Sequence, residues 1–179
     1  MSDFQQLSED DLKDIIYLQD HVIAHIKAEN LAPYIVARTD TYFEKHLLPP
    51  HKMIGFRKNG NGKLLAQCAF HVPQNFKPEK EIGLEDMPEF DGGDSVTILQ
   101  AALVHPEARG KGLMKTMILD WLDWAKETSK KHLLARVEVS HQASISVFKK
   151  NDFNRIGLVK DARDGADVYV YHKILKAEE

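Results

Sequence analysis

The sequence predicts a mixed α/β fold in a single domain that spans residues 1–179. A strand, a long amphipathic helix and a second strand follow one another over residues 95–139, an order that implies a parallel strand pair. Hairpin turns flank this segment, one at Asn59-Gly60-Asn61-Gly62 and one at Asp164-Gly165. The length of 179 residues is ample for one hydrophobic core.

The first fifty residues are predicted to form a short strand and two helices. Residues 4–7 fit the strand, and Ser8 fits the N-cap of the first helix. Apolar residues then recur at helical spacing: Leu12, Ile15, Ile16, Val22, Ile23 and Ile26. Thr41 and Glu44 form the pattern of a capping box for a second, shorter helix, which Pro49-Pro50 would end.

The next segment contains a hairpin and then an acidic stretch. Residues 53–58 and 63–72 are the predicted hairpin strands. Residues 74–94 combine proline, paired glycine and a set of acidic residues: Glu79, Glu81, Glu85, Asp86, Glu89, Asp91 and Asp94. Two interpretations remain open, a solvated surface loop between strands or an acidic flap that attracts a cationic amine.

The rest of the chain continues the α/β pattern. A helix is predicted from one apolar face: Leu113, Met114, Met117, Ile118, Trp121, Leu122 and Ala125. Residues 133–139 alternate as a strand, and residues 141–151 fit a helix with Ser140 as its N-cap. Residues 153–160 and 166–175 would form the final hairpin.

Composition excludes several classes of protein. A net charge of −3 argues against a general nucleic-acid binder. No apolar run approaches the roughly 18–20 residues of a membrane span, and Met1-Ser2-Asp3 lacks the features of a signal peptide, so cytoplasmic residence is expected. The lone Cys68 is expected to be a core residue.

Residues 104–114 carry the most informative motif. An apolar strand leads into a short glycine loop, and a helix follows. Such a loop aims several backbone N–H groups at one point, at the positive end of a helix dipole. Arg109 and Lys111 add positive charge, so a phosphate or pyrophosphate site is expected.

Two common phosphate motifs do not fit this loop. A Walker loop requires G-x-x-x-x-G-K-[ST], which Gly110-Lys111-Gly112-Leu113 does not match. A dinucleotide fingerprint requires G-x-G-x-x-G, and Lys115 stands where its last glycine would be.

The loop instead resembles that of the GNAT superfamily of acyl-CoA-dependent N-acyltransferases. The family pattern, Arg/Gln-x-x-Gly-x-Gly/Ala after a strand that ends Val-x-Pro, is matched by Val104-His105-Pro106 and by residues 109–114, with Met114 in place of the last Gly or Ala. Residues 141–153 are similar to the family's Asn-x-x-Ala-x-x-x-Tyr-x-x-x-Gly-Phe helix, and four positions depart from it: His141, Ser144, Phe148 and Asp152.

The resemblance covers residues 95–175 well and residues 53–73 loosely, and it is absent in detail before residue 50. It implies a central mixed sheet splayed between its fourth and fifth strands, with helices on both faces and coenzyme A in the splay. Acetyl-CoA would be the co-substrate, with no metal. The implied cofactor-binding residues are Leu103, Val104, Arg109, Gly110, Lys111, Gly112, Leu113, Met114, His141, Ser144 and Phe148.

Transfer of an acyl group to an amine requires the amine to be neutral. For a lysine-type amine this costs roughly 4–5 kcal/mol at pH 7, and for an α-amine about 1 kcal/mol. Glu138 is the first candidate base, because some family members carry a water-relayed glutamate there; an ion pair with Arg136 is the structural alternative. Gln100 could orient a water or the acceptor, or be a satisfied core amide.

His141 could bind the cofactor in place of the family's Asn, act as an alternative base, or be an exposed first-turn histidine. His71 lies on a strand that faces the expected acceptor cleft, but nothing in its pattern singles it out. Phe148 removes the family's usual tyrosine acid, so the thiolate leaves unaided or with a hydrogen bond from Ser144 or Ser146. Cys68 has no marked base nearby, which disfavours a covalent intermediate.

These patterns predict direct acetyl transfer to a primary amine of a small molecule or a peptide. The alternatives are a catalytically silent acyl-CoA-binding module and, more weakly, an unrelated phosphate-binding protein. An amine acceptor, cationic if the acidic stretch acts as a flap, is the expected partner, with no nucleic acid and no membrane. The oligomeric state stays open, with a homodimer among the options.

Overall fold

The computed structural model describes residues 3–31, 35–92 and 95–176, and these residues form seven strands and five α-helices. The strands are β1 (Gln5–Gln6), β2 (Lys52–Arg57), β3 (Leu64–His71), β4 (Val96–Val104), β5 (His132–Glu138), β6 (Asn154–Lys160) and β7 (Asp167–Ile174). The helices are α1 (Leu12–Ala28), α2 (Asp40–His46), α3 (Pro78–Glu81), α4 (Leu113–Glu127) and α5 (Gln142–Lys150). No helix among the described residues is both long and apolar enough to cross a bilayer.

Within the described residues the strands form one mixed sheet of seven, in the order β1-β2-β3-β4-β5-β7-β6. β4 and β5 are parallel, with Val96 opposite His132 and Leu99 opposite Ala135, which confirms the predicted parallel pair. This pairing covers four residues of each strand, and both strands continue past it. β7 pairs antiparallel with both β5 and β6. The predicted mixed α/β class is therefore confirmed.

The chain divides into two compact units. Unit 1 holds Met1–His71 and Gln100–Trp121, and unit 2 holds Val72–Leu99 and Leu122–Glu179. That the chain is a single functional domain stays a prediction.

The core of unit 1 forms between α1 and the first strands of the sheet. Its buried apolar residues include Leu7, Ile15, Leu18, Val22, Ile26, Phe43, Leu47, Met53, Leu64, Ala69 and Leu103. The α1 members recur at the predicted helical spacing. The N-cap predicted for α2 is wrong by two residues: Thr39, not Thr41, occupies it, and its Oγ1 accepts the Tyr42 N–H at 3.2 Å.

Unit 2 has a separate core, and the acidic stretch contributes to it. Its buried apolar residues include Phe76, Ile82, Met87, Val96, Ile98, Leu134 and Val170. Residues 74–92 are therefore not a purely solvated loop: α3 lies within them, and the side chains of Phe76, Ile82 and Met87 pack inward while the acidic side chains stay mostly exposed. The predicted cap of α5 is also shifted, from Ser140 to His141.

Candidate active site

The glycine turn, residues Arg109–Leu113, connects β4 to α4 in unit 1. Gly110 and Gly112 both adopt positive φ, at 76° and 75°. L-residues with a side chain rarely adopt this conformation, so the local sequence needs glycine at both positions. Apart from each glycine and the residues on either side of it, no heavy atom of the described residues lies within 4 Å of a Cβ placed on either glycine. The backbone of the turn is therefore open to a ligand.

The amides of the turn point to anion binding. The Thr116 N–H donates to the Gly112 carbonyl at 3.1 Å, which marks the start of the α4 hydrogen-bond ladder. The amides of Leu113, Met114 and Lys115 precede that bond and have no partner within the helix. They lie at the positive end of a helix of 15 residues, the usual geometry of a phosphate site.

A buried histidine holds the turn in place. The His105 N–H donates to the Leu65 carbonyl at 2.7 Å, and His105 Nδ1 accepts the Glu107 N–H at 3.2 Å. The ring stacks on His21 with a centroid distance of 4.4 Å. Burial, together with nearby Lys63, lowers the pKa of His105, so the ring stays neutral and can accept this bond. His105 is thus a structural anchor of the turn.

Gln100 lies on β4 next to a backbone irregularity. Ala101 has φ of 48°, a conformation that is uncommon for alanine and typical of a β-bulge. Gln100 Oε1 accepts a hydrogen bond from the Tyr42 hydroxyl at 2.8 Å. The amide is therefore fixed by a side chain of α2. Further along β4, Leu103 is buried and Val104 is half-buried.

Glu138 ends β5 in unit 2 and is half-buried. Its Oε2 accepts the Ser140 N–H at 3.0 Å and a short bond from the Ser140 hydroxyl. Arg136 forms its ion pair with Asp161 at 2.8 Å, so the structural alternative, an ion pair between Arg136 and Glu138, does not apply. Glu138 instead closes the turn between β5 and α5.

The three candidates around α5 differ in exposure. His141 caps the helix and is partly exposed, and Ser144 lies in the first turn and is also partly exposed. Phe148 is only 2% exposed, stacks on Tyr171 at 5.7 Å and contacts Phe153 edge-on. The family's tyrosine position is thus filled here by a ring that packs in the core of unit 2.

Sequence reasoning missed a group of three histidines in unit 1, which we call the imidazole cluster: His46, His51 and His71. They lie on α2, just before β2, and at the end of β3, and one ring nitrogen from each falls within 4.8 Å of the others. Of these only His71 was noticed in the sequence. Because the residues come from three elements, no spacing in the sequence could reveal the cluster.

The sheet order, the parallel β4–β5 pair and the glycine turn between β4 and α4 define a class of α/β proteins that hold a phosphate-bearing group at a helix N-terminus. The family model of the acetyltransferase (GNAT) domain matches residues 3–154. The chain therefore belongs to the GNAT acetyltransferase family, as the resemblance predicts. Among curated protein sequences, none is a significant match.

Solved structures show the same fold at low sequence identity. A protein from Salmonella typhimurium, solved with its cofactor acetyl-CoA, is 19% identical with a TM-score of 0.70, over 98% of this chain and 95% of that one. A ribosomal-protein-alanine N-acetyltransferase from Brucella melitensis is 18% identical with a TM-score of 0.69, over 96% and 99%. The ribosomal-protein-S18-alanine N-acetyltransferase of Escherichia coli is 13% identical with a TM-score of 0.70, over 98% and 95%.

Proposed function

We propose that this chain is an N-acetyltransferase that moves the acetyl group of acetyl-CoA to a primary amine. The observation that carries the proposal is the glycine turn, with two positive-φ glycines and open helix N-terminal amides in a chain of the GNAT acetyltransferase family. One neighbouring structure contains acetyl-CoA as its cofactor, and others are N-acetyltransferases.

The residues of the turn would hold the pyrophosphate of coenzyme A. Amides from Gly110 to Met114 supply hydrogen bonds to phosphate oxygens, and Arg109 and Lys111 supply charge. The backbone of Leu103 and Val104 would pair with the pantetheine arm in the manner of an added strand. His141, Ser144 and Phe148 stay predicted cofactor-binding residues; His141 and Ser144 are partly exposed polar side chains, whereas Phe148 is 2% exposed.

The reaction would be a direct attack within a ternary complex. The amine nitrogen forms a bond to the thioester carbonyl carbon, the carbon–sulfur bond breaks, and the thiolate leaves while the amine loses a proton. The leaving thiol resembles cysteine, with a pKa near 8.5, so it departs readily as a thiolate. Cys68 is fully buried and burial raises its thiol pKa, which argues against a covalent acyl-enzyme.

Glu138 is our first candidate for proton removal, through a water molecule, with His141 as the alternative. The carboxylate accepts two bonds from Ser140, which hold it in one orientation. Gln100, fixed by Tyr42, would orient the acceptor or a water and cannot serve as a base. No tyrosine acid stands at position 148, so Ser144 or Ser146 would give the thiolate at most a hydrogen bond.

The test is a screen of amines with acetyl-CoA that follows release of free thiol. The library should include polyamines, peptides with a free N-terminus and monoamines that carry no second positive charge, since the exposed acidic side chains of residues 74–92 favour a cationic acceptor. Turnover on at least one amine is expected. Its absence on every amine, together with tight binding of acetyl-CoA, would reject the enzyme and favour the silent acyl-CoA-binding module, an alternative that Phe148 supports.

A pair of carboxamide variants tests the base. Glu138→Gln should lower kcat by about 10²-fold or more, the usual contribution of a general base, and the loss should be greater below pH 8. Glu127→Gln, at an exposed position of α4, is the matched control and should leave kcat unchanged. An unchanged rate and pH profile in Glu138→Gln would make Glu138 a purely structural residue of the β5–α5 turn.

A further inference from the structure

The imidazole cluster brings three nitrogen donors together in unit 1. His46 Nε2 lies 2.9 Å from His71 Nδ1, and the His51 ring centroid is 4.5 Å from that of His46 and 5.0 Å from that of His71. His46 is 2% exposed and His51 is 8% exposed, while His71 is half-buried and gives solvent a route to the cluster. Acetyl transfer as proposed above does not use these three side chains.

The geometry points to a binding site for one divalent transition-metal ion, Zn²⁺ foremost, with His46, His51 and His71 as ligands and a fourth position for water or a small ligand. Imidazole nitrogens lie about 2.0–2.1 Å from zinc, so a tetrahedral site separates them by roughly 3.3 Å. The closest pair is already near that separation, and rotation of the side chains can bring the remaining nitrogens, now within 4.8 Å, to it.

Two features prepare the rings for a metal. His46 Nδ1 lies 2.7 Å from the Tyr42 carbonyl oxygen, so it donates to that carbonyl and leaves the Nε2 lone pair facing His71. A metal-bound histidine usually has its other nitrogen held in this way. Burial also lowers the pKa of His46 to about 4 and that of His71 to about 3, so both rings are neutral at pH 7, the form that binds metals.

The chemistry of the donors selects the ion. An all-imidazole set suits zinc, copper, nickel and cobalt, whereas Mg²⁺ and Ca²⁺ require oxygen ligands. Lys45 and Arg38 are close enough to lower the histidine pKa values, and their charge opposes a bound cation. An anionic fourth ligand such as hydroxide would offset that charge, which favours a metal that acidifies its bound water.

The histidine pair of unit 2 shares the lowered pKa but has no third metal-ligating side chain grouped with it in the described part of the chain. His132 Nδ1 lies 3.0 Å from His172 Nε2, and the rings stack at 5.3 Å. In the described part of the chain, this pair belongs to no group of three side chains that could hold a metal ion. A short contact between two imidazoles is thus not by itself a metal site.

The test uses full-length protein without a histidine tag, stripped with a chelator and then titrated with Co²⁺. We expect one Co²⁺ per chain with intense d–d absorption bands of a tetrahedral ion, displaced by Zn²⁺ and unaffected by millimolar Mg²⁺. His71→Gln and His51→Gln should each weaken binding by more than about 100-fold, because loss of a second-shell partner alone costs about 10–100-fold.

His25→Gln, on the α1 helix and outside the cluster, is the matched control and should bind Co²⁺ as the parent protein does. Circular dichroism shows whether each variant is folded. The Co²⁺ absorption spectrum of the parent protein tests the site without any variant. Absence of the tetrahedral Co²⁺ bands in the parent protein would overturn the proposal. So would folded His71→Gln and His51→Gln variants that bind Co²⁺ as tightly as the parent protein does. The result is independent of acetyl transfer, which the amine screen measures.

Discussion

The glycine turn and the imidazole cluster lie in the same compact unit. The turn offers backbone groups to a ligand, whereas the cluster offers side chains. The turn is a contiguous segment that offers backbone amides. It has glycine at positions 110 and 112, because φ is positive at both. The cluster is assembled from three separate elements and offers only side chains. A ligand site made of backbone leaves a readable local motif, whereas a site made of converging side chains does not.

Gly110→Val should have the largest effect on this comparison. Valine at φ of 76° is strained by roughly 1–2 kcal/mol and places a branched side chain in the open space of the turn. Binding of coenzyme A, measured by calorimetry, should fall by more than about 100-fold, that is about 2.7 kcal/mol. Gly60→Val is the matched control, with φ of 80° and the same open space. It should lose similar stability and keep coenzyme A binding; equal affinity in both variants would reject the pyrophosphate assignment.

Acid should destabilise the protein through the cluster, in the presence of a chelator. The folded pKa values of about 4 for His46 and about 3 for His71 lie below the usual 6.5, so the unfolded chain binds more protons between these limits. This effect is absent above about pH 6.5 and grows as the pH falls towards 4. We expect a loss on the order of 3 kcal/mol in the free energy of unfolding at pH 4, measured with urea, which is about half of what the two pKa shifts would give, because solvent partly screens both rings.

His71→Gln should flatten this pH profile, since it removes one of the two titrating rings. His172 also has its pKa lowered to about 4 by burial, so His172→Gln should remove a separate part of the same profile. A profile that is identical in the parent protein and in His71→Gln would show that the cluster is already solvated in the folded state.

Zinc should raise the melting temperature. A ligand at 100 times its Kd stabilises the folded state by about 2.7 kcal/mol, which for a chain of this size corresponds to roughly 5–10 °C. His51→Gln should lose the increase, and His25→Gln should retain it. An equal increase in all three proteins, measured by calorimetry, would place zinc elsewhere on the surface.

His105→Ala should have the smallest effect and would show how far the backbone site depends on one side chain. The variant loses the acceptor for the Glu107 N–H and the stacking on His21. Loss of such a cap costs about 1 kcal/mol, measured as the free energy of unfolding. Coenzyme A binding should weaken only a few-fold; a loss as great as in Gly110→Val would make His105 part of the binding site itself.

The sequence predicted the fold class and most element positions because its signals are local. Turn residues, apolar periodicity and the glycine loop each act within a few positions. The N-caps of α2 and α5 were placed wrongly because neighbouring polar residues compete for the same role. Other features depend on contacts between distant segments, which no pattern in a single sequence encodes. These are the packing of Phe76, Ile82 and Met87, the Tyr42–Gln100 hydrogen bond and the imidazole cluster.

The position of β7 between β5 and β6 has a consequence for the order of assembly. In the sheet, β6 is joined through β7, which pairs with it over residues 167–172 and with β5 over residues 168–174. Truncation of the chain at Gly165 would remove β7 alone, yet β6 would also lose its pairing partner in the sheet. The β6–β7 hairpin is a local structure that can form within microseconds, so we expect it to pair with β5 as one unit when unit 2 folds.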